Sequence, residues 1–347
     1  MLKDIDHKHE IIKNFTPSWF ASVMGTGILA MDSLFFSTYL PVLKGVASAI
    51  FYFNVMLFFV LLIPWCLRWC FFKENAIKDM ENPVISNFYA TIAIAMLVLA
   101  ANFIVIGKNV FIGQIFWFVG AFLTMFFGIF TPYLTFKGEH VKLDHINPAW
   151  FIPPVGLIVI PIAGSLVISY HTGWLRELIV FVNYFGWGGG FFVYLALLAV
   201  CMYRFILHNP LPERLAPTIW INLGPIGAGT LALVNLIRNS SFVTMKEPFM
   251  VFGLLFWGFG VWWVLMAILM TLHYIKRLSL PYAMSWWAFT FPLGAYVASC
   301  HVVSTIFHIA LIDYFGFLLY WLLVALWLVT FIKTAIRAYH GTLFKTH

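Results

Sequence analysis

The chain has 347 residues, of which 63% are hydrophobic and 10% charged, and its formal net charge is +7. Soluble globular domains carry roughly 25% charged residues, so too little polar surface is present to coat a water-soluble body of this size. That excludes a soluble protein, and the +7 balance is assigned to loops beside a membrane rather than to nucleic-acid binding.

Residues 1–14 are charged and polar and are expected to form a cytoplasmic N-terminal segment. No short apolar core with a small-residue cleavage site follows, so a removed secretory signal is not expected. Long, uninterrupted apolar runs then predict transmembrane helices rather than strands, because each crossing needs about 20 apolar residues with every backbone group bonded internally. In order, the predicted spans are Pro17–Phe35, Val46–Phe71, Val84–Ile106, Val110–Phe136, Pro148–Tyr170, Leu175–Leu207, Leu215–Ile237, Pro248–Ile275, Met284–His308 and Tyr314–Ala338. They make up one transmembrane domain over 15–338, followed by a cytoplasmic tail at 339–347. With ten spans, 15 Lys and Arg residues fall on one side and 5 on the other. The positive-inside rule places both termini in the cytoplasm of a cell-membrane protein. The four cysteines (Cys66, Cys70, Cys201 and Cys300) show no metal-ligand spacing, and no metal, cofactor or enzymatic activity is expected.

The odd spans repeat. Their starts at Pro17, Ile85, Pro148, Pro217 and Met284 are 68, 63, 69 and 67 residues apart. One position on, the residues are small: Ser18, Ser86, Ala149, Thr218 and Ser285. Three on, they are aromatic: Phe20, Phe88, Phe151, Trp220 and Trp287. Eight on, they are small or helix-bending: Gly25, Ala93, Gly156, Pro225 and Pro292. Five duplicated helical hairpins follow. Proline inside a helix removes a hydrogen bond, and lipid cannot satisfy the carbonyl that is freed. The odd spans are therefore placed inside and the bulkier even spans against lipid. The expected fold is all-α, with ten transmembrane helices as five hairpins in a pseudo-fivefold ring around a central pore. All inner N-termini would lie on one side, with Thr16-Pro17, Asn82-Pro83 and Asn147-Pro148 as cap-then-proline starts, and a ring of such ends attracts anions.

No Lys, Arg, Asp or Glu occurs in 17–31, 84–106, 148–169, 215–237 or 284–307. Intramembrane charge usually marks a transport site or proton relay. Its absence here disfavours a carboxylate relay and suits weakly held anions moving past a neutral wall. Asp32 and Asp313 are expected to be solvated near the outer ends.

Two motifs carry a resemblance. Phe15-Thr16-Pro17-Ser18-Trp19-Phe20 with Met24-Gly25-Thr26-Gly27, and Trp286-Trp287-Ala288-Phe289-Thr290-Phe291-Pro292-Leu293-Gly294, are similar to segments of the tellurite-resistance/dicarboxylate transporter family. That family includes plant slow-type anion channels, bacterial tellurite-resistance channel homologues, fungal malate permeases and sulfite pumps. The resemblance implies five hairpins around a pore in each subunit, a homotrimer, and a phenylalanine on the ninth span that plugs the pore. Phe291 matches the plug, and Phe289, on another helix face, is the alternative. Gly25, Gly156, Pro225 and Pro292 are candidates to line the pore, with Asn222, Thr26 and Ser22 as uncharged donors. For the last three, ordinary interhelical hydrogen bonds are an equal alternative. His301 and His308, seven apart on the ninth span, are open to proton sensing, haem or metal binding, or plain packing. The expected function is transport of small anions, inorganic or carboxylate, through an occluded pore. A proton-coupled malate-type carrier or a sulfite exporter is the alternative.

Overall fold

The computed structural model describes residues 9–138 and 141–344, and among these there is no strand. Twelve α-helices follow in chain order. They are α1 (His9–Lys13), α2 (Phe20–Phe35), α3 (Val42–Phe71), α4 (Lys73–Glu81), α5 (Ala90–Val105), α6 (Val110–Lys137), α7 (Ile152–Val167), α8 (Gly173–Leu207), α9 (Leu223–Asn239), α10 (Glu247–Arg277), α11 (Phe291–Phe307) and α12 (Ala310–His340). Ten spans among the described residues are long and apolar enough to cross a membrane. The short helices α1 and α4 were not foreseen.

Burial sorts the spans into two sets. The inner spans carry α2, α5, α7, α9 and α11, and 72 to 94% of their apolar stretch is buried. The outer helices α3, α6, α8, α10 and α12 bury only 28 to 33%. Each outer helix packs on the inner helix that precedes it, giving five hairpins. The inner helices touch in the order α2, α5, α7, α9, α11 and back to α2, so the cycle closes. The outer helices are 28 to 35 residues long. At a rise of 1.5 Å per residue that is about 42–52 Å, longer than the ~30 Å hydrocarbon layer, so they tilt or project beyond it.

Every inner span opens with a 3-10 segment before its α-helix begins: Pro17–Trp19, Ile85–Tyr89, Pro148–Phe151, Glu213–Asn222 and Met284–Phe289. These five segments contact one another in the same cyclic order. This changes the role of the prolines. Pro153 and Pro292 occupy the first or second residue of α7 and α11, and Pro225 the third residue of α9. In the first turn a missing N–H has no partner to lose. The repeated prolines therefore mark where 3-10 backbone becomes α-helix, and Pro161 is the inner-helix proline that lies mid-helix. Of the expected caps, Asn147 accepts from the Ala149 N–H at 2.9 Å, and Asn82 from the Val84 and Ile85 N–H groups at 2.9 and 3.0 Å. Thr16 makes no cap bond and pairs instead with Ser18 at 2.7 Å.

Outer helices are tied to the next inner helix by tryptophans. The Trp117 indole of α6 donates to the Ile160 carbonyl of α7 at 3.0 Å, and Trp187 of α8 to the Gly229 carbonyl of α9 at 3.0 Å. Trp257 of α10 donates to the Cys300 sulfur of α11 at 3.2 Å, and Trp327 of α12 to the Thr26 hydroxyl of α2 at 3.0 Å. These four tryptophans are spaced 70 residues apart, so the duplication is written in the outer helices as well. Buried indole N–H groups need a partner, and each finds one on the adjoining hairpin.

The first and last described segments lie together on one face. Asn14 Nδ2 donates to the Phe344 carbonyl at 2.7 Å, and the Trp19 and Phe344 rings stack at 5.5 Å. On that face Arg68, at the end of α3 and buried, donates to Asp79 of α4 at 2.5 Å and to the Lys13 carbonyl of α1 at 3.0 Å. Tyr89 donates to the Ala76 carbonyl of α4 at 2.6 Å. Arg68→Ala leaves Asp79 without its cation and the α1 end without a donor. Asp79 is partly exposed, so the expected loss is about 2 kcal/mol rather than the 3–5 of a fully buried pair, read as a lower melting temperature in detergent.

Two cavities on the ring axis

Seven residues after the starts of the repeats, Met24, Val155, Gly224 and Phe291 face the axis of the ring. They line a cavity of about 40 Å3 on the N-terminal side, together with residues from every inner span. Thr91 and Ile94 represent α5 there, and Ser285 and Pro292 come from the ninth span. Toward the C-terminal ends of the inner helices lies a second cavity of about 240 Å3. Ile28, Met31, Val98, Ala101, Val159, Ile162, Leu231 and Ala298 wall it, with Asn102 and Asn235 as its polar groups. These positions recur three, four and seven apart, as one face of an α-helix must. Among the described residues neither cavity is lined by a charged side chain, and Phe291 is the one residue that belongs to both.

The sequence placed the axial column one residue too far along. A step of one residue turns a helix by about 100°, so the column containing Gly25, Gly156 and Pro225 faces neighbouring helices instead. Their role is close approach. A Cβ on Gly25 would collide with the Thr290 side chain of the ninth span, and one on Gly156 would come within 2.9 Å of Thr124. Pro225 is buried and lines neither cavity, whereas Pro292 lines the first. Phe289 is buried between Trp220 and Trp286, edge-on to both with centroids 5.6 Å away, and lines neither cavity.

None of the candidate uncharged donors lines either cavity. Ser22 donates to the Trp19 carbonyl at 2.6 Å, Thr26 receives the Trp327 indole, and Asn222 is fully buried beside Tyr194 of α8. The polar groups that do face the cavities are others. Thr91 bridges to the Pro17 carbonyl at 2.8 Å, and Asn102 donates to the Gly27 carbonyl at 3.1 Å while its own oxygen has no partner.

His301 and His308 do not share a helix face. The helix ends at Phe307, and His308 is an exposed left-handed cap with φ 56°. His301 stacks on Phe35 at 5.0 Å and pairs with Asp313 at 2.9 Å, and Tyr39 donates to the same carboxylate at 2.5 Å. That hydrogen bond to a carboxylate pushes the Tyr39 hydroxyl up to about 12. Asp313 is 9% exposed and Asp32 0%, so neither is solvated. Asp32 lies within α2, which continues to Phe35, so the inner helices do contain a carboxyl.

Ten helices of this arrangement, with a closed inner cycle whose spans wall two cavities, define a multi-pass membrane protein of the channel and transporter class. The chain belongs to the voltage-dependent anion channel family, whose model matches residues 14–335. A protein of Methanocaldococcus jannaschii described as an uncharacterized transporter is 62% identical over the whole of both chains. A sulfite efflux pump of Arthroderma otae is 26% identical over 96% of this chain and 93% of its own. A malic acid transport protein of Schizosaccharomyces pombe is 24% identical over 82% of this chain and 70% of its own.

Proposed function

We propose that the protein passes small anions along the axis of its inner ring, and that the Phe291 side chain is the barrier in the closed state. One observation carries the reading: Phe291 is common to two axial cavities that otherwise share no lining residue. An ion crossing from one to the other has to pass its ring. The uncharged walls suit weak binding, which lets an ion leave as well as enter. The five inner N-termini gathered at one mouth favour anions over cations. Malate and sulfite, named in two relatives, are both small oxyanions, and at 24–26% identity they support the class of substrate rather than one member of it.

The excess of Lys and Arg on the face that carries both termini supports a cytoplasmic position for that face in a cell membrane. The homotrimer implied by the family resemblance belongs to the same proposal. The test is flux of chloride, nitrate, sulfite and malate in liposomes containing the purified protein. Anion flux above protein-free liposomes, with a defined order of preference, supports the reading; cation flux of equal size would remove it.

A further inference from the structure

We propose that Asp32 is a proton-binding site whose occupancy controls anion entry into the cavity beyond Phe291. The proposal rests on the reading of that axis as an anion path and adds a regulator to it.

The placement of Asp32 is what argues for this. The α2 face bearing Ile28, Met31 and Phe35 lines the cavity. Asp32 follows Met31 directly and lies one turn after Ile28, on the flank turned toward α11. Its Oδ2 is 3.2 Å from where a Cβ on Gly294 would stand, one turn along from Phe291. Asp32 is 0% exposed, and neither of its oxygens has a hydrogen-bond partner. The described residues offer it no ion pair. An unpaired carboxylate removed from water is among the most costly groups a protein can hold. A carboxyl kept in such a place without a structural partner needs a reason, and a reversible proton supplies one.

The surroundings fit proton exchange with the rim. From α11, Cys300 lies within electrostatic reach of both Asp32 and Asp313. From α12, Tyr320 senses Asp32, and its hydroxyl is bonded to Ser33 at 2.9 Å. The His301–Asp313 pair and the partly exposed Tyr39 continue toward the surface, and His301 stacks on Phe35 of the cavity wall. The helices α3 and α5 bring Asn54 and Asn102 against Gly27, and neither residue titrates. Among the described residues no ion pair supplies this enclosure with a positive charge to compete with the proton.

The sign follows from charge. Ionised Asp32 repels an anion in the adjoining cavity, and protonated Asp32 does not. Coupling between the two sites is reciprocal, so an anion in the cavity also favours the proton. Flux should therefore fall as pH rises through the range in which the site titrates.

The experiment measures chloride flux against pH in liposomes for wild type, Asp32→Asn and His301→Gln. Wild-type flux is expected to fall about fivefold or more between the low-pH and high-pH plateaus, the size typical of coupled sites. Asp32→Asn, which is permanently neutral, should hold the low-pH level throughout, and His301→Gln should keep the wild-type ratio of plateaus. An Asp32→Asn profile that still matches wild type, or a profile flattened by His301→Gln instead, would overturn the proposal. A wild type passing no chloride at any pH counts against the anion path itself. In that case infrared difference spectra of the detergent-solubilised wild type decide the proton site independently. A protonated-carboxyl C=O band that titrates and is missing from Asp32→Asn supports it, and spectra without such a band overturn it.

Discussion

Phe291→Ala should raise anion flux by about an order of magnitude while leaving the order of preference among anions intact. The ring is 4% exposed and bears on both axial cavities, so truncating it to a methyl group joins them. A tenfold rise requires the ring to contribute only about 1.4 kcal/mol to the barrier, little for a buried aromatic that an ion must displace. The same truncation removes packing, and Phe→Ala in a core typically costs about 3–5 kcal/mol. Flux must therefore be normalised to folded protein, by the monodisperse fraction in detergent. Phe289→Ala is the matched control, since that ring lies between two tryptophans off the axis. It should lose comparable stability and gain no flux. Equal flux from Phe291→Ala and wild type would show that the barrier lies elsewhere.

Gly227→Ala should be the most damaging single methyl group in the molecule. Its Cβ would lie 2.5 Å from the Ala295 carbonyl carbon and the Tyr296 Cα, both of them backbone atoms of α11. A side chain can swing away from such a contact, but a helix backbone has to move as a unit, so α9 and α11 must separate along their length. Overpacking against movable side chains costs about 1–3 kcal/mol, and at least the upper end of that range is expected here. Gly258→Ala, on the outward face of α10 with nothing within 4 Å, isolates the effect of the methyl group itself. It should be neutral or stabilise α10 by up to about 1 kcal/mol through helix propensity. Melting temperatures in detergent compare the two. A Gly227→Ala protein as stable as wild type would mean that the α9–α11 contact yields without cost.

The ten spans were legible because hydrophobic length is a direct consequence of bilayer thickness, and the inner set was legible because proline collects where lipid does not. The phase of the axial face was not. Pattern matching fixed on Gly25, Gly156 and Pro225, residues chosen for closeness to a neighbour, whereas the axis is faced by Met24, Val155, Gly224 and Phe291, which share a position but no chemistry. The opening 3-10 segments add to the difficulty, since they run at three residues per turn rather than 3.6. Asp32 reads from the sequence as solvated, whereas it is fully buried. A carboxyl near a helix end has no sequence mark of burial, which is set by the neighbouring helices. The tryptophans at 117, 187, 257 and 327 were available from the sequence as an even spacing.

The clasp between Asn14 and Phe344 bears on how this chain is threaded. With α12 bonded to α2 through Trp327 and Asn14 bonded to Phe344, the five hairpins form a closed loop. Contact between segments this near the two ends of the sequence suits circular permutation. A gene rearranged to begin at α7 and finish at α6, with a short linker bridging the native ends, should encode the same ring of hairpins in the same membrane orientation, because moving whole hairpins keeps every inner helix entering from the same side.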